Sequence, residues 1–265
     1  MPNRDASDTR LFAASYLLRL DLDQHQQPSL YRPKAPAAIP YGGPWCEDDR
    51  FRVCWEAKGR IMVWDVAVVG AGAAGLFAAI RAAECGRRTL VLEKNARAGV
   101  KILMSGGTRC NLTHATDAGG IIAAFGRQGR VLHSALAALA PDEVVQLFGR
   151  EGVATKVEPT GKVFPTSDRA ADVVNALLRR LARSGAELSF GEPLLRMAAI
   201  GNGFDLTTAR RQLEARTVIL TTGGMSYPGC GTTGDGYAWA AKLGHQIVAP
   251  RPALTPILTA AEWVK

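Results

Sequence analysis

The stretch from Trp64 to Glu93, WDVAVVGAGAAGLFAAIRAAECGRRTLVLE, most constrains what this chain can fold into. Asp65 to Val69 is a short β-branched run of the kind that fills the middle of a parallel sheet. It runs straight into Gly70-Ala71-Gly72-Ala73-Ala74-Gly75, a G-x-G-x-x-G that opens an alanine-rich helix expected to span Ala73 to Glu84 and to stop at Cys85-Gly86. The glycines do separate jobs. Gly70 permits the tight turn, Gly72 lacks the Cβ that would hold a pyrophosphate off the backbone, and Gly75 lets helix and strand approach closely. Amides of the first helical turn, Ala73 and Ala74 among them, then face an anion. Thr89 to Leu92 is the returning strand, and Glu93 at its end is placed to accept a ribose hydroxyl. A strand, turn, helix and distal carboxylate in this order specify a dinucleotide site, open between NAD and FAD. Glu93 argues against NADP, whose extra phosphate it would repel. The uncharged run from Val66 to Ile80 is too short for a membrane span and is flanked by Asp65 and Arg81.

The fold class this pattern predicts is α/β, a Rossmann-like parallel sheet. With 265 residues, 47% hydrophobic and 21% charged, the composition is that of an ordinary globular chain. The net charge of +8 lies almost wholly beyond residue 61 and suits an anionic cofactor or substrate. A nucleic-acid face is the weaker reading, for want of clustered Lys/Arg with interleaved aromatics. Five cysteines, with no C-x-x-C and no secretory signal, fit a reducing cytoplasm. The four histidines are scattered, and no metal site is expected.

Residues 1–61 differ in texture. Gln24 to Pro44 is rich in Gln, Pro, Ala and Gly, so this segment is expected to be a poorly ordered extension, with Met62 marking where such nucleotide folds begin. After Glu93 comes Lys94, then a block containing Lys101, Ser105, Gly106, Gly107, Thr108, Arg109, Cys110 and Asn111. Adjacent glycines beside two cations predict a second phosphate or flavin-edge contact.

From Met62 onward five blocks stand in order: V-V-G-A-G-A-A-G-L, L-E-K-N, K-I-L-M-S-G-G-T-R-C-N-L-T, G-K-V-F-P-T-S-D-R-A and T-T-G-G-M-S-Y-P-G-C-G-T-T-G-D-G. In these the chain resembles the BaiN/YhiN-type, or aminoacetone-oxidase-like, FAD-dependent oxidoreductases. The resemblance implies FAD as the dinucleotide, with Glu93 on the adenosine ribose and the Lys101 to Asn111 segment against the cofactor. It implies backbone near Leu194 at the adenine, and Thr222-Gly223-Gly224 as a further approach to FAD. Val100 and Thr108 depart from the family, which usually carries arginine and glycine there. The resemblance also implies an inserted substrate domain beginning near residue 251, with the chain ending at Lys265 before the FAD fold is completed. A non-catalytic truncated remnant is therefore the rival to an enzyme, and an RNA-acting flavoprotein is a second.

Further along, helices are expected near Ile121, over Pro141 to Arg150, over Arg169 to Arg183 with Ser167 as N-cap, and over Gly236 to Leu243. Strands are expected at Glu187 to Phe190, Leu194 to Ile200, Phe204 to Ala209, Gln212 to Ala215 and Val218 to Thr221, with Asn202-Gly203 as a hairpin turn. The FAD-binding domain then spans residues 62–250. FAD is the expected cofactor and NAD(P)H the expected reductant of a small organic substrate. No residue carries a catalytic assignment, and Cys110 and Cys230 read as small apolar fillers rather than redox thiols.

Overall fold

The computed structural model describes residues 18–19 and 63–252. The expected extension and the expected start of a second domain therefore lie almost wholly outside the described residues. In chain order the elements are β1 (Leu18–Arg19), β2 (Val63–Val69), α1 (Ala73–Glu84), β3 (Thr89–Glu93), α2 (Val100–Thr108), β4 (Thr113–His114), α3 (Ala118–Ala124), α4 (His133–Ala138) and α5 (Pro141–Arg150). There follow β5 (Thr155–Val157), β6 (Lys162–Pro165), α6 (Ala170–Ser184), β7 (Glu187–Phe190), β8 (Leu194–Ile200), β9 (Gly203–Thr208), β10 (Gln212–Leu220) and α7 (Asp235–Lys242).

The main sheet has the order β7-β3-β2-β10-β9-β8, with the short β1 also paired to β10. The first four strands are parallel, so β2, β3 and β10 end on the same edge. β8, β9 and β10 form an antiparallel meander. Every residue of β3 is buried, as a strand covered on both faces requires. Alternate side chains feed two cores. Val66, Val68 and Val91 pack toward Leu76, Ile80, Leu177 and Leu181 of α1 and α6. Ala67, Val69, Leu90 and Leu92 pack toward Phe204, Leu206 and Leu213 of the meander and Ala240 of α7. Each such leucine contributes about 1.5–3 kcal/mol on burial. A second sheet, β4-β6-β5, lies outside this frame and buries Val163 and Phe164.

Three expectations need correction. The two strands expected over residues 212–221 are one continuous β10, because its first half serves the meander while the same strand runs on beside β2. Glu187–Phe190 forms as expected and is the parallel edge strand beside β3. Ser167 does not cap α6. The helix starts at Ala170 after Arg169, and the Ser167 hydroxyl donates to Asp172 instead. The block after Glu93 is not all loop, since α2 begins at Val100 behind the left-handed Gly99. Residues 126–150 are apolar enough by composition to cross a membrane. The extended backbone at Leu139 and Ala140 nevertheless splits them into separate elements.

Candidate cofactor site

The site is built where β2, β3 and β10 end. Gly70 adopts φ +105°, and a Cβ there would lie 2.7 Å from the Thr221 carbonyl oxygen. A Cβ on Gly75 would lie 1.8 Å from the Gly70 oxygen, so only glycine lets α1 settle on the end of β2. Gly72 is different in kind. Its backbone is extended, at φ −77° and ψ −172°, and a Cβ would meet nothing within 4 Å. It therefore faces open space, at the start of a helix with no side-chain cap and no acidic residue in its first turn. The amides of that turn, at Ala73, Ala74 and Gly75, have no capping acceptor and carry the positive end of the helix dipole. A cradle open at Gly72 fits a dinucleotide diphosphate.

Glu93 is 6% exposed and accepts two backbone N–H bonds, from Ala71 at 2.7 Å and from Asn95 at 2.8 Å. Its carboxylate is thereby fixed against the glycine turn. The Gly191 amide donates to Asn95 O and the Glu192 amide to Glu93 O, which brings residues 191–194 beside that carboxylate. Leu194 is buried where β8 begins. On the other flank the Thr221 hydroxyl donates to the Val69 and Gly70 carbonyls, tying Thr222-Gly223-Gly224 to the cradle. Gly223 takes φ +75°, with Thr232 packed where its Cβ would be.

The 94–111 segment also reaches the cradle, because the Gly99 amide donates to Ala71 O at 2.9 Å. Met104 touches Cys230 of the loop after β10, 2.9 Å between sulfurs. Lys101 is half-buried on α2. Ser105, with ψ 148°, ends the regular helix, and Gly106 and Gly107 are left-handed at φ 56° and 65°. Thr108 follows at φ +69°, a conformation costing a residue with a Cβ about 1–2 kcal/mol. With its side-chain amide turned so that the nitrogen faces the Thr113 and Val163 carbonyls, Asn111 donates to both and holds the far end of the loop.

Two of the cations expected at the cofactor are ion-paired within the chain. Lys94 donates to Asp235 and Thr233, each at 2.8 Å, and so bridges to the N-terminus of α7. Arg109 stacks 4.0 Å over the Phe164 ring and pairs with Glu158 and Asp168, facing the second sheet rather than an open phosphate site. Cys110 is buried, and burial pushes its thiol up despite a lowering hydrogen bond from Ser105, so it is a neutral packing group.

Sequence reasoning passed over Glu192. It is 1% exposed, and it accepts the Arg211 guanidinium at 2.9 and 3.1 Å and the Thr208 hydroxyl at 2.8 Å. Its partner lies across a hairpin, and only a carboxylate before Pro193 hinted at it. Burial disfavours the charge, but the bonds from Arg211, Ser189 and Thr208 outweigh this and hold the carboxyl below its usual value. A lowered folded pKa gives stability that is complete above the unfolded value of about 4.3 and is lost as pH falls through the folded one. The urea midpoint is expected to drop on acidification below about pH 4, and to drop less steeply in Glu192→Gln. Parallel pH profiles for the two proteins would refute the assignment.

Comparison with known proteins agrees with this geometry. The family model described as HI0933-like protein Rossmann domain matches residues 64–254. The chain is 31% identical to a ribosomal RNA dihydrouridine synthase of Escherichia coli K12 over 193 residues, covering 73% of this chain and 48% of that protein. It is 31% identical to a 3-dehydro-bile acid delta(4,6)-reductase of Clostridium scindens over 195 residues, covering 72% of this chain and 47% of that protein. The chain thus spans about half the length of the curated relatives it matches. Among solved structures, the open conformation of a flavocytochrome c3 fumarate reductase shares the fold at a TM-score of 0.59 and 18% identity, over 80% of this chain and 45% of that one. The chain belongs to the HI0933-like Rossmann-domain family, and its cofactor is FAD.

Proposed function

We propose that this domain holds FAD in a reductase that draws electrons from a reduced nicotinamide and saturates a carbon–carbon double bond in a small organic substrate. The observation that carries this is the convergence of Gly72, Glu93 and the Thr221–Gly224 turn at one edge of the sheet. In this proposal the amides of residues 72–75 bind the diphosphate and Glu93 accepts the ribose hydroxyls. The 105–111 and 222–234 loops shield the far end of the groove from water. FAD, when bound, supplies the hydride chemistry. The relatives' names support the substrate class: one reduces delta(4,6) bonds of a 3-dehydro bile acid and another makes dihydrouridine. Both names describe hydrogenating a double bond in a ring that also carries a carbonyl.

A second reading takes that uridine within RNA. It is favoured by the net charge of +8 and by the stretch between Asp117 and Asp142, which carries Arg127, Arg130 and His133, no acidic side chain, and an exposed Phe125. One exposed aromatic ring beside two arginines offers a stacking face of the kind single-stranded nucleic acid uses.

The test is anaerobic spectroscopy of the FAD-loaded chain. NADH or NADPH is expected to bleach the visible flavin band, and a cyclic enone to restore it. Restoration by uridine-bearing RNA and not by the enone selects the second reading. A flavin that dithionite reduces but neither nicotinamide does contradicts the proposal.

A further inference from the structure

The turn at residues 106–108 holds three consecutive residues at positive φ, one of them the threonine Thr108, and Cys110 adds a fourth at φ +65°. Such a run persists only where its surroundings over-determine it. The bonds local to the segment are all short-range: Arg109 N and Cys110 N to Ser105 O, the Ser105 hydroxyl to Ile102 O, the Thr108 hydroxyl to Gly107 O at 2.6 Å, and a 3.4 Å contact from Arg109 Nε to Gly106 O. Gly106 is also hemmed in by the Asn111 backbone amide, 2.9 Å from where its Cβ would stand, and from the second sheet by Phe164. A Cβ on Gly106 would lie 2.8 Å from its ring, while the Arg109 guanidinium covers that ring at 4.0 Å. Arg109 is in turn held by Glu158 and Asp168, and Asp168 also binds Lys156. Two cations and two carboxylates close a neutral quartet on the second sheet.

We infer that Arg109 is a positioning residue: clamped on Phe164 by Glu158 and Asp168, it locks the left-handed 106–108 turn and so presets the backbone amides that this loop offers to the cofactor. The inference rests on the loop facing the FAD groove, as proposed above. It reverses the simple electrostatic expectation. A guanidinium reaching the diphosphate would be weakened by the nearby carboxylates, so neutralising Glu158 would tighten FAD binding. A clamp needs Glu158, so neutralising it loosens the loop.

FAD affinity, and hydrogen–deuterium exchange over residues 105–110 without cofactor, are to be measured for the full chain, Arg109→Met, Glu158→Gln and the double variant. Each single change is expected to weaken FAD about tenfold, the double no more than either alone, and exchange to accelerate in all three. Glu158→Gln that tightens binding or leaves it unchanged, while Arg109→Met weakens it, overturns the inference. Unchanged exchange in the cofactor-free variants overturns it too. A chain that took up no FAD in any form would instead remove the groove assignment, and the exchange result alone would still decide the role of Arg109.

Discussion

Gly72→Asp is expected to abolish FAD binding while leaving the cofactor-free protein as stable as the parent or more so. The extended backbone at Gly72 accepts any residue, and the space beyond its Cα is open. Aspartate there becomes an N-cap for α1, which has no side-chain cap, and adds a negative charge at the positive end of the helix. Those two effects together contribute from a few tenths to about 1 kcal/mol. The same carboxylate stands where the diphosphate must lie, and like charges brought together cost several kcal/mol, so affinity should fall by at least about 100-fold. Calorimetry of the apo-protein and FAD titration read the two effects separately. An ordinary loss-of-fold mutation lowers both. Gly75→Ala should behave that way, because its Cβ meets the Gly70 oxygen at 1.8 Å. Retained FAD binding in Gly72→Asp would show that the diphosphate lies elsewhere.

Glu93→Gln carries the second large effect. The carboxylate accepts from both Ala71 and Asn95, one N–H to each oxygen. Glutamine matches the shape but offers one acceptor, so its NH2 must face a backbone donor at a site only 6% exposed. An unsatisfied buried donor costs about 1–3 kcal/mol, and the turn it anchors includes Ala71 itself. The unfolding midpoint is expected to fall, and FAD to weaken at least about tenfold as the charge-assisted ribose contact is lost. Wild-type stability together with wild-type affinity would exclude Glu93 from the site.

The βαβ unit was legible because each step is local. β-branched residues, three spaced glycines and a carboxylate some twenty positions on leave little freedom, and α1 starts at Ala73 as the motif requires. The amphipathic stripe of α6 was equally plain, with Val173, Val174, Leu177 and Leu181 all buried. What escaped depended on partners distant in sequence. Nothing near Arg109 shows that Phe164 and Glu158 will meet it, and nothing near Lys94 shows that Asp235, 141 positions on, will take its charge. β10 looked like two strands because it serves two pairings at once, a fact of topology rather than composition. α2 was hidden by Ser105, Gly106 and Gly107, whose residue types suggest a loop and whose backbone does leave the helix there.

Equilibrium dialysis of FAD, FMN and riboflavin against the purified chain tests the cradle most directly, since only FAD carries both the bridging diphosphate and the adenosine ribose. One FAD per chain is expected, with FMN and riboflavin bound far more weakly. FMN or riboflavin binding as tightly as FAD, or no uptake of FAD at all, would contradict a site built around Gly72 and Glu93.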